Sequence, residues 1–289
     1  MSTTTTTPRP RTREDDGPGP ASRFLRHPLT WMLIGVVGVA LVGGLTASAE
    51  QFLLLPVLGA ALAVVVYRVV MRCVAHRRTP ELAGRRAVPE ALLGAAVGLG
   101  FVAVSAAVVT ALGGYTFRVA DGDLLAVVAP IVAVTVGAAV TEELMFRGFA
   151  LQALERLLGS WVALGITALF FGLTHLFNPA ATPWSALAIA IEAGGLLGAA
   201  FLWRRNLWFA IGLHLAWNAT IALLGIPVSG HASAGLLVAD VSGPSLLTGG
   251  AFGIEGSVVT VVLGALIAVP MLVLARRRGT WVPARRRRP

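Results

Sequence analysis

Eight apolar runs, each about as long as a helix needs to cross a bilayer, constrain this chain more than anything else in it. They are Leu29–Thr46, Phe52–Met71, Ala91–Leu112, a run that starts at Leu124, Trp161–Phe177, Trp184–Trp203, Leu207–Leu224 and Ser257–Ala275. About twenty mostly apolar residues cross a hydrocarbon core roughly 30 Å thick. Backbone in that core must satisfy its own N–H and C=O groups, which leaves helices or a closed barrel. Continuous runs without strand-like alternation select helices. Composition agrees: 56% of residues are hydrophobic, 13% are charged, and the mean hydropathy is +0.79. A soluble domain carries about twice that share of charge. The expected fold class is all-α, a polytopic membrane bundle of about eight transmembrane helices over residues 29–275.

The ends differ from the bundle. Residues 1–28 form a basic tail with a threonine run, Thr3–Thr7, and too few apolar side chains to order itself. Residues 276–289 form a second basic tail. The first run closes on Ala47-Ser48-Ala49, the small-residue pattern of a signal-peptidase site. The run is long for a signal segment and so is the tail before it, so an uncleaved first helix is expected.

The net charge is +9, and every basic residue among the 23 is arginine. Arginines cluster in the N-terminal tail, in the loop from Arg72 to Arg86, at Arg156, at Arg204-Arg205 and in the C-terminal tail, while the alternate loops hold only Arg118. An even number of spans puts both termini on one side. The positive-inside rule then makes that side cytoplasmic, in a multi-pass protein of the cell membrane, with Pro227–Gly256 outside. Arginines that flank spans fit lipid headgroups and do not form a nucleic-acid patch. Cys73 is the only cysteine, which excludes an intrachain disulfide.

Against this background the stretch Thr141-Glu142-Glu143-Leu144-Met145-Phe146-Arg147-Gly148 stands out. Ionisable groups within a membrane helix are costly and usually face a bundle interior or a wet cavity. The helical pattern around them continues to about Leu158, where Gly159 reads as a stop. Glu143 and Arg147 are four apart, so they can pair on one face. Glu142 points about 100° away and has no local partner. Taken alone, the stretch reads equally as a buried ion pair. His175 lies in the fifth run, in Phe171-Gly172-Leu173-Thr174-His175. His214 and Asn218 lie four apart in the seventh and share a face, as a polar helix–helix contact also would. Counting from the turn at Leu158-Gly159 puts Glu142 and His175 at similar depth. His214 fits less well, about 10 Å into its helix at 1.5 Å per residue. Glu192 is a further buried acid in the sixth run, ranked as accessory.

In order and in helical setting, Glu142-Glu143-x-x-x-Arg147, Phe171-x-x-x-His175 and His214-x-x-x-Asn218 resemble the three motifs of the CAAX prenyl endopeptidase/Abi (CPBP) family of intramembrane proteases. Gly195-Leu196-Leu197-Gly198 and Asn206-Leu207-Trp208 are also similar to bacterial members. The likeness covers about residues 124–224. It implies hydrolysis of a peptide bond in a membrane-associated or lipidated protein or peptide. By the same resemblance Glu142 is the general base, His175 helps hold the water, and His214 and Asn218 orient it or stabilise the oxyanion. Glu143 and Arg147 are support. Two chemistries stay open. Glu142, His175 and His214 are a plausible zinc set with one open position. Without metal, a glutamate in an apolar cavity suits a general base, with Asn218 as an oxyanion donor. The rival readings are a non-catalytic membrane scaffold on the same fold and a proton-coupled transporter, though no inverted repeat is visible.

Overall fold

A computed structural model describes residues 20–47, 52–232 and 234–284 of the protein, and 76% of these described residues are helical. The eight apolar runs are eight helices: α1 (Pro28–Thr46), α2 (Leu55–Val74), α3 (Gly84–Ala111), α4 (Leu124–Leu158), α5 (Ser160–Phe177), α6 (Pro183–Arg204), α7 (Leu207–Leu223) and α8 (Val258–Arg277). All but α7, at 17 residues, are long and apolar enough to cross a membrane. The all-α polytopic class is borne out. Two details differ from expectation. The N-terminal tail, expected to lack order through residue 28, forms a short helix, Pro20–Leu25. The loops after α3 and α7 each contribute a strand, β1 (Tyr115–Val119) and β2 (Leu237–Val241), which pair antiparallel with Tyr115 opposite Val241. Residues 1–19, Ser48 and Ala49 of the small-residue pattern, and Arg285–Arg288 lie outside the described residues.

Local chemistry sets the helix ends. Asp123, Asn206 and Ser257 cap α4, α7 and α8, each accepting a hydrogen bond from the backbone N–H two residues on. Gly159 takes φ +81°, and a side chain there would run into the backbone of Ala284. The positive φ, open to glycine at little cost, ends α4 and lets α5 begin at the next residue.

Within lipid there is little hydrophobic gain in joining helices, so close packing of small residues has to hold them. The α3–α7 pair shows this. Gly94 and Gly98 of α3 sit against the carbonyls of Phe209 and Leu213, and Gly212 of α7 sits against the carbonyl of Ala91. At each position an added methyl would overlap backbone. This two-sided glycine seam fixes the register of α7, and with it the height of His214 and Asn218.

The core has two parts. Phe101, Val102, Phe171, Trp217, Ile221, Phe252 and Ile254 form one toward the loops that carry the strands. Trp31, Tyr67, Met71, Leu144, Phe149, Leu202 and Leu207 form the other toward the arginine-rich face. That face is laced by polar contacts. Arg204 is paired with Glu90, and Arg205 with Glu155, which Ser160 also contacts. Arg77 holds Glu81 at 2.8 Å, Tyr67 donates to the same carboxylate, and Gln152 reaches both Tyr67 and the carbonyl of Gly148. Backbone from Thr280 to Val282 crosses beneath, bonding to Arg205 and Ser160.

Candidate active site

The long helix α4 is not uniform. From Leu144 to Leu151 it widens into a π-helical turn, and α6 does the same from Ala190 to Gly195. Such widenings loosen the regular ladder and recur at functional sites. Here they make room for one arginine. Arg147 projects from the first, donates to Glu143 at 2.8 Å, and donates to the carbonyls of Ala193 and Gly194 in the second at 2.9 and 3.2 Å. Its guanidinium lies 4.7 Å from the centre of the Phe171 ring. With 2% of its surface exposed, Arg147 joins three helices and has no reach to a cavity.

Glu143 is fully buried and spends one oxygen twice, on Arg147 and on Nδ1 of His214 at 3.0 Å. A carboxylate paired with a guanidinium accepts, so His214 donates from Nδ1. In the neutral imidazole the Nε2 lone pair is then free. That nitrogen is 3.9 Å from Oε2 of Glu142, a buried oxygen with no hydrogen-bond partner among the described residues. His175 follows the same logic on another helix. Its Nδ1 lies 2.7 Å from the carbonyl of Phe171, and a carbonyl only accepts, so Nδ1 carries the proton. Fixing one ring nitrogen in this way decides what the other can do.

Glu142, His175, His214 and Asn218 all line one cavity of about 1190 Å³. Most of its walls are apolar side chains of α1, α4 and α5. These helices frame a cleft because α4 and α5 pack closely only near their shared turn and the π-helical segment. The offset of His214 suggested by residue counting is absent, because α7 packs directly on α4. Glu143 and Arg147 stand behind the cavity wall. Glu192 is not in that wall either. It is fully buried on the face of α6 that meets Gly264 of α8, both its oxygens without a hydrogen-bond partner among the described residues.

Sequence reasoning missed the lid of this cavity. Glu255, Ser229, His231 and Asn178 line it from the loops after α5 and α7. Oε2 of Glu255 accepts from both the backbone N–H and the hydroxyl of Ser229. Burial pushes the Glu255 carboxyl above its usual range, against the pull of Ser229 and of the facing His175 and His214. A glutamate between glycines and an isoleucine just before an apolar run was the one available signal.

Among the described residues, no three His, Cys, Asp or Glu side chains are grouped as metal ligands. The zinc set of Glu142, His175 and His214 does not fit the side chains as they stand, so no step below runs through a metal.

Fold and site together define a class: a polytopic helical membrane protein with a built acid–imidazole centre opening on an intramembrane cavity. Residues 123–220 match the family described as Rce1-like, type II CAAX prenyl endopeptidase. The match covers the stretch that holds all three motifs and bears out the resemblance seen in them. No curated protein and no solved structure matches the chain.

Proposed function

We propose that the protein is an intramembrane endopeptidase that cleaves a membrane-associated or lipid-anchored polypeptide with water activated by Glu142. The observation that carries this reading is the convergence of an unpartnered glutamate oxygen, two imidazoles with fixed Nδ1 protons, and an amide on one cavity. Glu142 takes a proton from water, and the water oxygen bonds to the scissile carbonyl carbon. Nε2 of His175 accepts from the water's other hydrogen and holds it in place, while His214 orients Glu142 and its water from the other side. The Asn218 amide donates to the oxyanion as it forms. When the C–N bond breaks, Glu142 returns its proton to the leaving nitrogen. Removing the base without changing shape should therefore stop the reaction. Membrane fractions of wild-type and Glu142→Gln cells, compared by peptide proteomics, should differ in a peptide whose processing ceases. Identical peptide sets, with both proteins present at equal levels, would remove the endopeptidase reading.

A further inference from the structure

The cavity has two unlike ends. Toward the arginine-rich face its lining is Met145, Ala150 and Leu154, all apolar. Behind that end the protein is closed. Arg147 is committed to Glu143 and two carbonyls, and below it Tyr67, Gln152, Arg77 and Glu81 bond to one another and to Gly148. The pairs Arg205–Glu155 and Arg204–Glu90 and the crossing backbone at 280–282 complete the floor. Toward the opposite face the lining turns polar, through Asn178, Ser229, Glu255 and the exposed His231. Ser229, His231 and Glu255 belong to the loop that carries β2, and in β1 the one arginine of that face, Arg118, reaches Asp240 of β2 at 3.9 Å. Arginine bias makes the closed, basic face cytoplasmic.

We infer that water and the scissile segment enter this centre from the extracytoplasmic side, so that the substrate is an exported or outward-facing membrane-anchored polypeptide. Its polar chain passes His231 and Ser229, and its apolar anchor lies in the cleft between α1, α4 and α5. The substrate class rests on the endopeptidase reading. The direction of access does not, because it is measured without cleavage.

The chain supplies its own control, since Cys73 is its only cysteine, is exposed, and sits at the arginine-rich face. In a Cys73→Ala background, Asn218→Cys, Ser229→Cys and His231→Cys report on the centre, the lid of the cavity and its mouth. The probe is a membrane-impermeant cationic methanethiosulfonate, applied to full-length protein in right-side-out and inside-out vesicles. All three engineered cysteines are expected to react in right-side-out vesicles and to be spared in inside-out ones. Cys73 in the otherwise unaltered chain should show the reverse. Reaction of Asn218→Cys only in inside-out vesicles would overturn the inference, as would reaction of Cys73 from outside. No reaction of Asn218→Cys from either side, in protein that still labels at His231→Cys, would also overturn it, since water would then not reach the centre. Should Asn218→Cys fail to fold, Ser229→Cys decides on the same terms.

Discussion

Replacing Arg147 with alanine tests whether the centre is held by charge or only decorated by it. The substitution leaves Glu143, which is fully buried, with His214 as its remaining partner, and leaves the Ala193 and Gly194 carbonyls without their donor. Removing one member of a buried ion pair costs about 3–5 kcal/mol, mostly the burden of the charge left behind. At roughly 2–4 °C per kcal/mol for larger domains, that is a fall of at least about 6 °C in Tm. Detergent-purified protein, heated and assayed by size exclusion for the folded fraction, gives the number. Arg147→Ala should also lower the yield from membranes. The double variant Glu143→Gln/Arg147→Met removes both charges and keeps an oxygen for His214. It should be more stable than the sum of its single changes by about 0.5–3 kcal/mol, the coupling of residues in direct contact. An unchanged Tm for Arg147→Ala, or strictly additive singles, would refute the argument and return Arg147 to a role on substrate.

Other outcomes follow from the same geometry. Glu142→Gln should abolish cleavage while leaving Tm within error, because Oε2 of Glu142 holds up nothing in the fold; a large loss of Tm would show the residue to be structural. His175→Ala should abolish cleavage as well, and combining it with Glu142→Gln should cost little more, as for residues that act as a unit. EDTA or phenanthroline should leave turnover unchanged in purified protein, and chelator inactivation reversed by zinc would replace the metal-free mechanism. Glu255→Gln should raise Tm at neutral pH. A carboxyl whose folded pKa is raised contributes stability in its protonated form, fully below the unfolded value and progressively lost as pH rises through the folded one. The advantage of glutamine should therefore shrink as pH falls, and a constant difference across pH would contradict it. Gly98→Leu should prevent folding, since even its Cβ would overlap the Leu213 carbonyl.

Much of the architecture was legible because lipid imposes a simple rule: length and apolarity alone mark the spans. The pairing of Glu143 with Arg147 was legible for a similar reason, since both lie on one helix with a fixed repeat. What sequence did not reveal depends on long-range geometry. The π-helical turns at 144–151 and 190–195 are shifts in hydrogen-bond register, which side-chain type does not encode. The depth of His214 could not be counted from loop ends, because it is set by the glycine seam between α3 and α7. Glu255 and Ser229 reach the cavity through a loop outside the three motifs, so neither periodicity nor spacing connected them to it. Glu192 was legible only as an accessory buried acid, because sequence gives no view of α8 behind it.

That placement of Glu192 bears on how the protein is made. Helices leave the insertion machinery in chain order, and α8 is the last of the eight. Until Val258–Arg277 arrives, the face of α6 that carries Glu192 has no helix at Gly264 to cover it, and lipid is a poor neighbour for a carboxyl group. The backbone that closes the floor, Thr280 to Val282, comes later still. A nascent chain can thus hold all three motifs in the bilayer and remain unfinished, its motif-bearing helices waiting on the segment from Val258 onward to seal them. Synthesis order would then separate insertion of the three motifs from their enclosure by α8.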